Sequence, residues 1–233
     1  MPDLPEHSSP KAARILAAAG ELLLARGSKG VTIADVATRA HIGKGTVYLY
    51  WKTKEDLLLG LIGRDFLALA DDATEAVTAD PDLARPSRLV PDMLTRAARH
   101  PFVDALRSED DGLLGALTAD PRSVKLLETL SPDAMMHGVL PIWRRHGLAR
   151  TDWPLDEQAL ALHALLTGFL TVTGRHRSRR GPAEPETVLA KAVTALLGPE
   201  HATPDQVRAT AADGLHMLAD ARATALDLIA LPA

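Results

Sequence analysis

Again and again along this chain, a helix-capping residue is followed at once by proline, as at Ser9-Pro10, Asp120-Pro121, Ser131-Pro132 and Thr203-Pro204. A Ser, Thr or Asp side chain accepts from the free N–H groups of a first helical turn. Proline, which has no N–H to lose, suits the first helical position. No stretch sustains the two-residue alternation of a strand, and aromatic residues make up only 3% of the chain. The sequence therefore predicts an all-α protein.

Helices follow one another closely at the start. After Ser9-Pro10 the first amphipathic helix turns Ile15, Ala19, Leu22 and Leu23 to one face and stops at Gly27. Thr32 caps a short helix with Asp35 at its third position, where a carboxylate bonds back to the cap. Its inner face is Ile33, Val36, Ala37 and Ala40. A tight turn leads to a third helix from about Lys44 to Tyr50, and Thr53, with Asp56, caps a fourth that ends before Asp80-Pro81. Two short helices across a tight turn make a helix-turn-helix, whose second helix suits a DNA major groove.

The third helix supports that reading residue by residue. Val47 and Trp51 lie four apart and face inward, leaving Thr46, Tyr48, Leu49 and Tyr50 outward or sideways. Gly43 and Gly45 flank Lys44, so the backbone can approach a phosphate or base edge while the ammonium adds positive charge. Exposed tyrosines suit phosphate hydrogen bonds and thymine methyl contact. Lys54, in the first turn of the fourth helix, is placed for a second phosphate. Individually, each side chain reads more readily as a packed tyrosine or a solvated lysine; the ordered set favours DNA. A phosphate-binding loop at IGKGT is excluded, because Thr38 stands where its first glycine belongs and Gly45 where Ser or Thr must follow the lysine.

Charge distribution agrees. Residues 1–64 carry nine Lys or Arg against six Asp or Glu, while the remainder carries 17 against 24, within a net charge of −4. A basic end on an acidic body fits phosphate binding through that end. No run reaches the ~18 apolar residues of a membrane span, and the N-terminus lacks a basic start followed by an apolar stretch. With no cysteine as well, the expected location is cytoplasmic. Nine histidines raise metal chemistry, but HExxH, GxSxG and GxGxxG are all absent and no histidine pair has metal spacing. No enzyme, cofactor or metal is expected.

The stretch from Thr32 to Leu57 resembles the DNA-binding signature of tetracycline-repressor-like (TetR) transcriptional regulators. Thr32, Val36, Ala37 and Ala40 match its second helix. Lys44, Gly45, Thr46, Val47, Tyr48, Tyr50, Thr53, Lys54, Glu55 and Leu57 match the third helix and the start of the fourth. Three residues depart from the pattern. His41 replaces a turn glycine and so is expected to be left-handed, Gly43 replaces a serine cap, and Trp51 replaces a phenylalanine. The resemblance implies that Thr32, Tyr50 and Lys54 hold phosphates. It places Lys44, Gly45, Tyr48 and Leu49 near bases, with Thr46 in either role. It also implies a DNA-binding domain at 9–64 and a helical ligand-binding and dimerisation domain at 65–233, and residues 1–8 are expected to be a disordered tail.

Pattern alone says less about that larger part. Two or three short helices are expected between Pro86 and Ala119, cut at Pro91 and Pro101, with a kink at Pro141. The segment 155–174 is apolar nearly all round and 186–197 carries a wide apolar stripe, as helices of a homodimer interface or a monomer core would. Candidate pocket residues are Phe102, Leu106, Met135, Met136, Trp143, His163 and Phe169, although such side chains at helical spacing more often belong to a core. Arg175, Arg177, Arg179 and Arg180 form a basic, solvated loop. The expected function is a homodimeric regulator, a repressor released from its double-stranded operator by a small, largely apolar effector. The alternatives are a DNA-binding protein that senses nothing and, further off, an enzyme.

Overall fold

Helix boundaries fall where cap chemistry puts them. The computed structural model describes residues 4–107, 121–130, 132–175 and 184–230. Among these, every regular element is helical: α1 (Pro5–Ser8), α2 (Pro10–Arg26), α3 (Ile33–Arg39), α4 (Lys44–Tyr50), α5 (Lys54–Ala79) and α6 (Pro86–Ala97) come first. They are followed by α7 (Pro101–Arg107), α8 (Pro121–Leu130), α9 (Pro132–Arg145), α10 (Leu155–Arg175), α11 (Pro185–Leu197) and α12 (Pro204–Ile229). A 3-10 turn at Pro81–Ala84 separates α5 from α6. The protein is all-α.

Reciprocal caps start several of these helices. Thr32 Oγ1 accepts from Asp35 N at 3.2 Å while Asp35 Oδ2 accepts from Thr32 N at 2.8 Å. Thr53 and Asp56 repeat the arrangement at 3.0 Å each way, and Thr203 does so with Gln206. Each such pair satisfies two N–H groups that the helix start would otherwise leave free.

Two expectations about helix ends and breaks need correction. Pro91 does not cut the chain, since α6 runs through it. An internal proline costs about 3 kcal/mol in a helix. Val90 beside it is buried in a core cluster, and burial of such side chains, at ~1.5–3 kcal/mol each, offsets that cost. Pro141, where a kink is expected, lies inside α9 beside the fully buried Leu140. The expected tail at 1–8 is also ordered from residue 4 onward. Leu4 is buried, and Glu6 receives a two-pronged ion pair from Arg64, with Nη2 to Oε2 at 2.7 Å.

The chain forms two compact units that are not sequential. One comprises Met1–Leu69, Ala98–Leu130 and Ala221–Ala233, the other Ala70–Ala97 and Ser131–Asp220. Ile15, Leu23, Val36, Val47, Trp51, Leu58 and Ile62 are buried in the first. There Asp65 of α5 accepts from the N–H groups of Phe102 and Val103 at 2.7 and 3.2 Å, capping α7 from a distant helix. α12 comes so close to α5 that a Cβ on Gly63 would meet Ile229 Cγ2 at 2.3 Å. The second unit centres on Leu140, Trp143, Leu148, Leu162, Leu189 and Val193. Trp143 Nε1 donates to the Ala84 carbonyl at 2.9 Å, so its one polar atom is satisfied inside this core.

Candidate nucleic-acid interface

Between α3 and α4 the chain turns on His41, whose φ of 55° is the left-handed conformation expected where the family pattern has glycine. Ile42 N then donates to the Ala37 carbonyl at 3.0 Å and closes the turn. Gly43 occupies the N-cap of α4 with no side-chain bond, leaving the first N–H groups of the helix without a side-chain acceptor.

From there the helix sorts its side chains as the four-residue spacing requires. Val47 and Trp51 are completely or almost completely buried. Lys44, Gly45, Tyr48 and Leu49 are exposed, with Leu49 at 73% and Tyr48 at 39%, while Thr46 and Tyr50 are half-buried. The Lys44 ammonium sits 5.8 Å from the Tyr48 ring centroid, a cation–π contact along the outer face. A Cβ added to Gly45 would find nothing within 4 Å. No neighbour in the fold therefore requires glycine there.

The residues expected to hold phosphates have further partners. Tyr50 Oη lies 2.6 Å from Ser9 Oγ, the hydroxyl that caps α2 by accepting from Ala12 N. Thr32 Oγ1 donates to Asp35 Oδ2 at 2.6 Å, so a phosphate would have to compete with that carboxylate for its proton. Bonds from the Thr32 side chain and then its backbone hold the Asp35 carboxyl below its usual range, so it is anionic at neutral pH. Lys54 Nζ donates to the carbonyls of Ser28 and Val31 at 2.7 and 3.4 Å, which leaves one of its three hydrogens for anything outside the protein. Lys52 is exposed beside it.

The pocket candidates are distributed over both compact units. Phe102 is buried in the first unit, its ring 3.9 Å from where a Gly20 Cβ would stand. Trp143 belongs to the core of the second unit, with Met136 and Phe169 packed at that core's edge. Met135 and His163 are half-buried, and His163 Nε2 lies 3.5 Å from Thr167 Oγ1. Leu106 is on α7 with its side chain outside the described part, and most of the basic loop, from Arg177 on, lies outside the described residues. Residues that sequence reasoning did not assign to the interface are Ser9, known only as a cap, and the backbone at Ser28 and Val31. Nothing in their local sequence announces a partner 41 or 26 positions away.

A second helix with an exposed cationic and aromatic face, held across a tight turn by a buried Val–Trp pair, is a helix-turn-helix DNA-binding module. Residues 15–61, which contain this module, match the family model of the bacterial regulatory proteins of the tetR family. The chain is 34% identical over 83 residues to the fatty acid metabolism regulator protein of Bacillus subtilis (strain 168), a match that takes in 34% of this chain and 43% of that relative's length. A tetR family transcription regulator structure described as putative, from Shewanella sp. PV-4, superposes with a TM-score of 0.54 at 22% identity. That superposition covers 79% of this chain and 96% of the other. A structure described as the molecular basis for control of antibiotic production by a bacterial hormone gives 0.56 at 27% identity, covering 81% and 98%.

Proposed function

We propose that the protein is a dimeric, sequence-specific regulator of transcription that binds operator DNA through α4 and is released by a small, largely apolar effector. The observation that carries the DNA reading is the outer face of α4, above all Gly45. A glycine in a helix costs up to about 1 kcal/mol against alanine, and the fold makes no use of the space it leaves open. Close approach of an external surface accounts for it. Lys44, Tyr48, Leu49 and Thr46 then face the groove, while Tyr50, Lys54 and Thr32 approach phosphates.

Dimerisation is supported by α10 and α11. Leu160 is 66% exposed and Val172 56%, and Val188 of α11 is exposed as well. Apolar side chains left outside the core suit a second copy, and a symmetric operator requires two reading helices. The B. subtilis relative acts in fatty acid metabolism and the 27%-identical structure concerns a hormone, which favours an effector that is a small organic molecule. In this reading, residues 9–64 bind DNA and residues 65–233 dimerise and sense the effector. The family is one of regulators, which favours regulation over catalysis. Operator DNA as partner implies the cytoplasm, and no helix among the described residues is long and apolar enough to cross a membrane.

Selection from random duplexes tests the proposal. The expected product is a near-palindrome with half-sites one helical turn, or a multiple of it, apart. Sedimentation equilibrium should show a dimer at micromolar concentration. A monomer, or no enriched sequence, would overturn the proposal.

A further inference from the structure

The exposed surface of α4 consists of two rows, each at four-residue spacing. Lys44 and Tyr48 make the first and engage each other through the cation–π contact. Gly45 and Leu49 make the second, which holds no hydrogen-bonding side chain at all. Leu49 is the most exposed of the large hydrophobic side chains among the described residues, at 73%. Helix propensity does not call for leucine there, since Lys, Gln, Glu and Arg serve nearly as well and are soluble. Helical side chains lean toward the N-terminal turn, so Leu49 lies along the row that Gly45 leaves vacant. The space is open, because a Cβ at Gly45 would meet nothing within 4 Å beyond its two chain neighbours and the helix's own backbone, and no atom of the Leu49 side chain comes that close. The result is an open notch with one aliphatic wall.

A leucine gains nothing from a base edge that offers only donors and acceptors, because covering those groups strips them of water without replacing the bond. The major groove presents one aliphatic group, the 5-methyl of thymine. Carbon–carbon contact is best at about 3.5–4.0 Å, which a methyl entering that notch can meet on the Leu49 side and at the Gly45 backbone. Resting on the reading of α4 as the DNA-reading helix, we infer that Leu49 is a specificity-determining residue. It reads the 5-methyl group of one thymine in each operator half-site, seated in the notch at Gly45. Lys44, one row away, has the reach and charge for the acceptor edge of a guanine nearby.

The test separates the methyl from every other feature of thymine. A duplex enriched by the wild-type protein from a random pool is remade with each thymine of one half-site replaced in turn by deoxyuridine. At one position the wild-type protein should lose about three- to fivefold in affinity, the ratio expected for one methyl returned to water. Leu49→Ala should bind the thymine and deoxyuridine versions of that position equally. Its thermal midpoint should match wild type, because the side chain it loses is exposed. A deoxyuridine scan that is flat for the wild-type protein overturns the inference while leaving α4 as the reading helix. So does a penalty that persists undiminished in Leu49→Ala, which would hand the methyl to Tyr48 or another residue. Failure to enrich any duplex removes the reading of α4, and this inference with it.

Discussion

Ser9 Oγ and Tyr50 Oη meet at 2.6 Å, so the hydroxyl that caps α2 is also bonded to the last residue of α4. Either hydroxyl can donate in this bond, and Ser9, which already accepts from Ala12 N, has its own proton to offer. When Ser9 is the donor, the Tyr50 proton is free for a phosphate oxygen. The start of the first long helix and the end of the reading helix are thereby fixed to each other.

Tyr50→Phe should cost about 0.5–1.5 kcal/mol of stability, and Ser9→Ala about 1 kcal/mol or more because it removes a cap as well. In a double-mutant cycle by urea unfolding the two should be sub-additive, since the second substitution removes a bond already lost. Additive losses would show that the hydroxyls do not interact in solution. On DNA, Tyr50→Phe should weaken all sequences alike without changing the salt slope, because no charge is lost.

Lys54→Met keeps the stem and removes the ammonium that clamps the carbonyls of Ser28 and Val31. A loss of about 1.5–3 kcal/mol is expected from denaturant unfolding, as for other hydrogen bonds to a charged group. If the remaining hydrogen serves a phosphate, DNA affinity should fall for every sequence and the salt slope should flatten by about 1. An unchanged slope would confine Lys54 to the fold.

Gly45→Ala separates folding from binding. The fold should be stabilised by up to about 1 kcal/mol, since the new methyl enters open space in a helix. Operator affinity should nevertheless fall, as measured by electrophoretic mobility shift. A variant that binds operator as tightly as wild type would remove the argument for close approach at this position.

His41→Gly should be stabilising by about 1 kcal/mol, because left-handed backbone costs a side-chain-bearing residue roughly 1–2 kcal/mol and glycine almost nothing. Part of the gain is returned through the greater freedom of glycine in the unfolded chain. A thermal midpoint lower than wild type would mean that the imidazole makes a compensating contact.

Acid should loosen the N-terminal segment. Burial works to raise the Glu6 carboxyl. The hydrogen bonds and charge of Arg64, with a bond from the backbone of Glu6, outweigh burial and hold it below the ordinary carboxylate value. Its contribution is therefore fully present above pH ~4.5 and fades as the pH falls through the lower, folded value. Glu6→Gln should be less stable than wild type at pH 7, and the difference should shrink as both are titrated toward pH 3. A constant difference across that range would show that the ion pair contributes nothing.

Helix starts, the turn at His41 and the inward and outward faces of α4 are all legible in the sequence by itself. Each depends on residues within four positions of one another. Thr32 needs only Asp35, Thr53 only Asp56, Thr203 only Gln206, and Val47 and Trp51 share a face by helical geometry alone. Pro91 misleads because its cost is local while the burial that offsets it, at Val90, comes from distant segments. The same holds for what only the tertiary structure decided. It turned Lys54 onto the carbonyls of Ser28 and Val31, joined Tyr50 to Ser9, and brought Ile229 against Gly63. It also placed Phe102 in one compact unit and Met136, Trp143 and Phe169 in the other. Capping and helical period are short-range chemistry that each segment carries with it. Which segments meet is set by packing the whole chain into its cores, and no window of sequence contains that information.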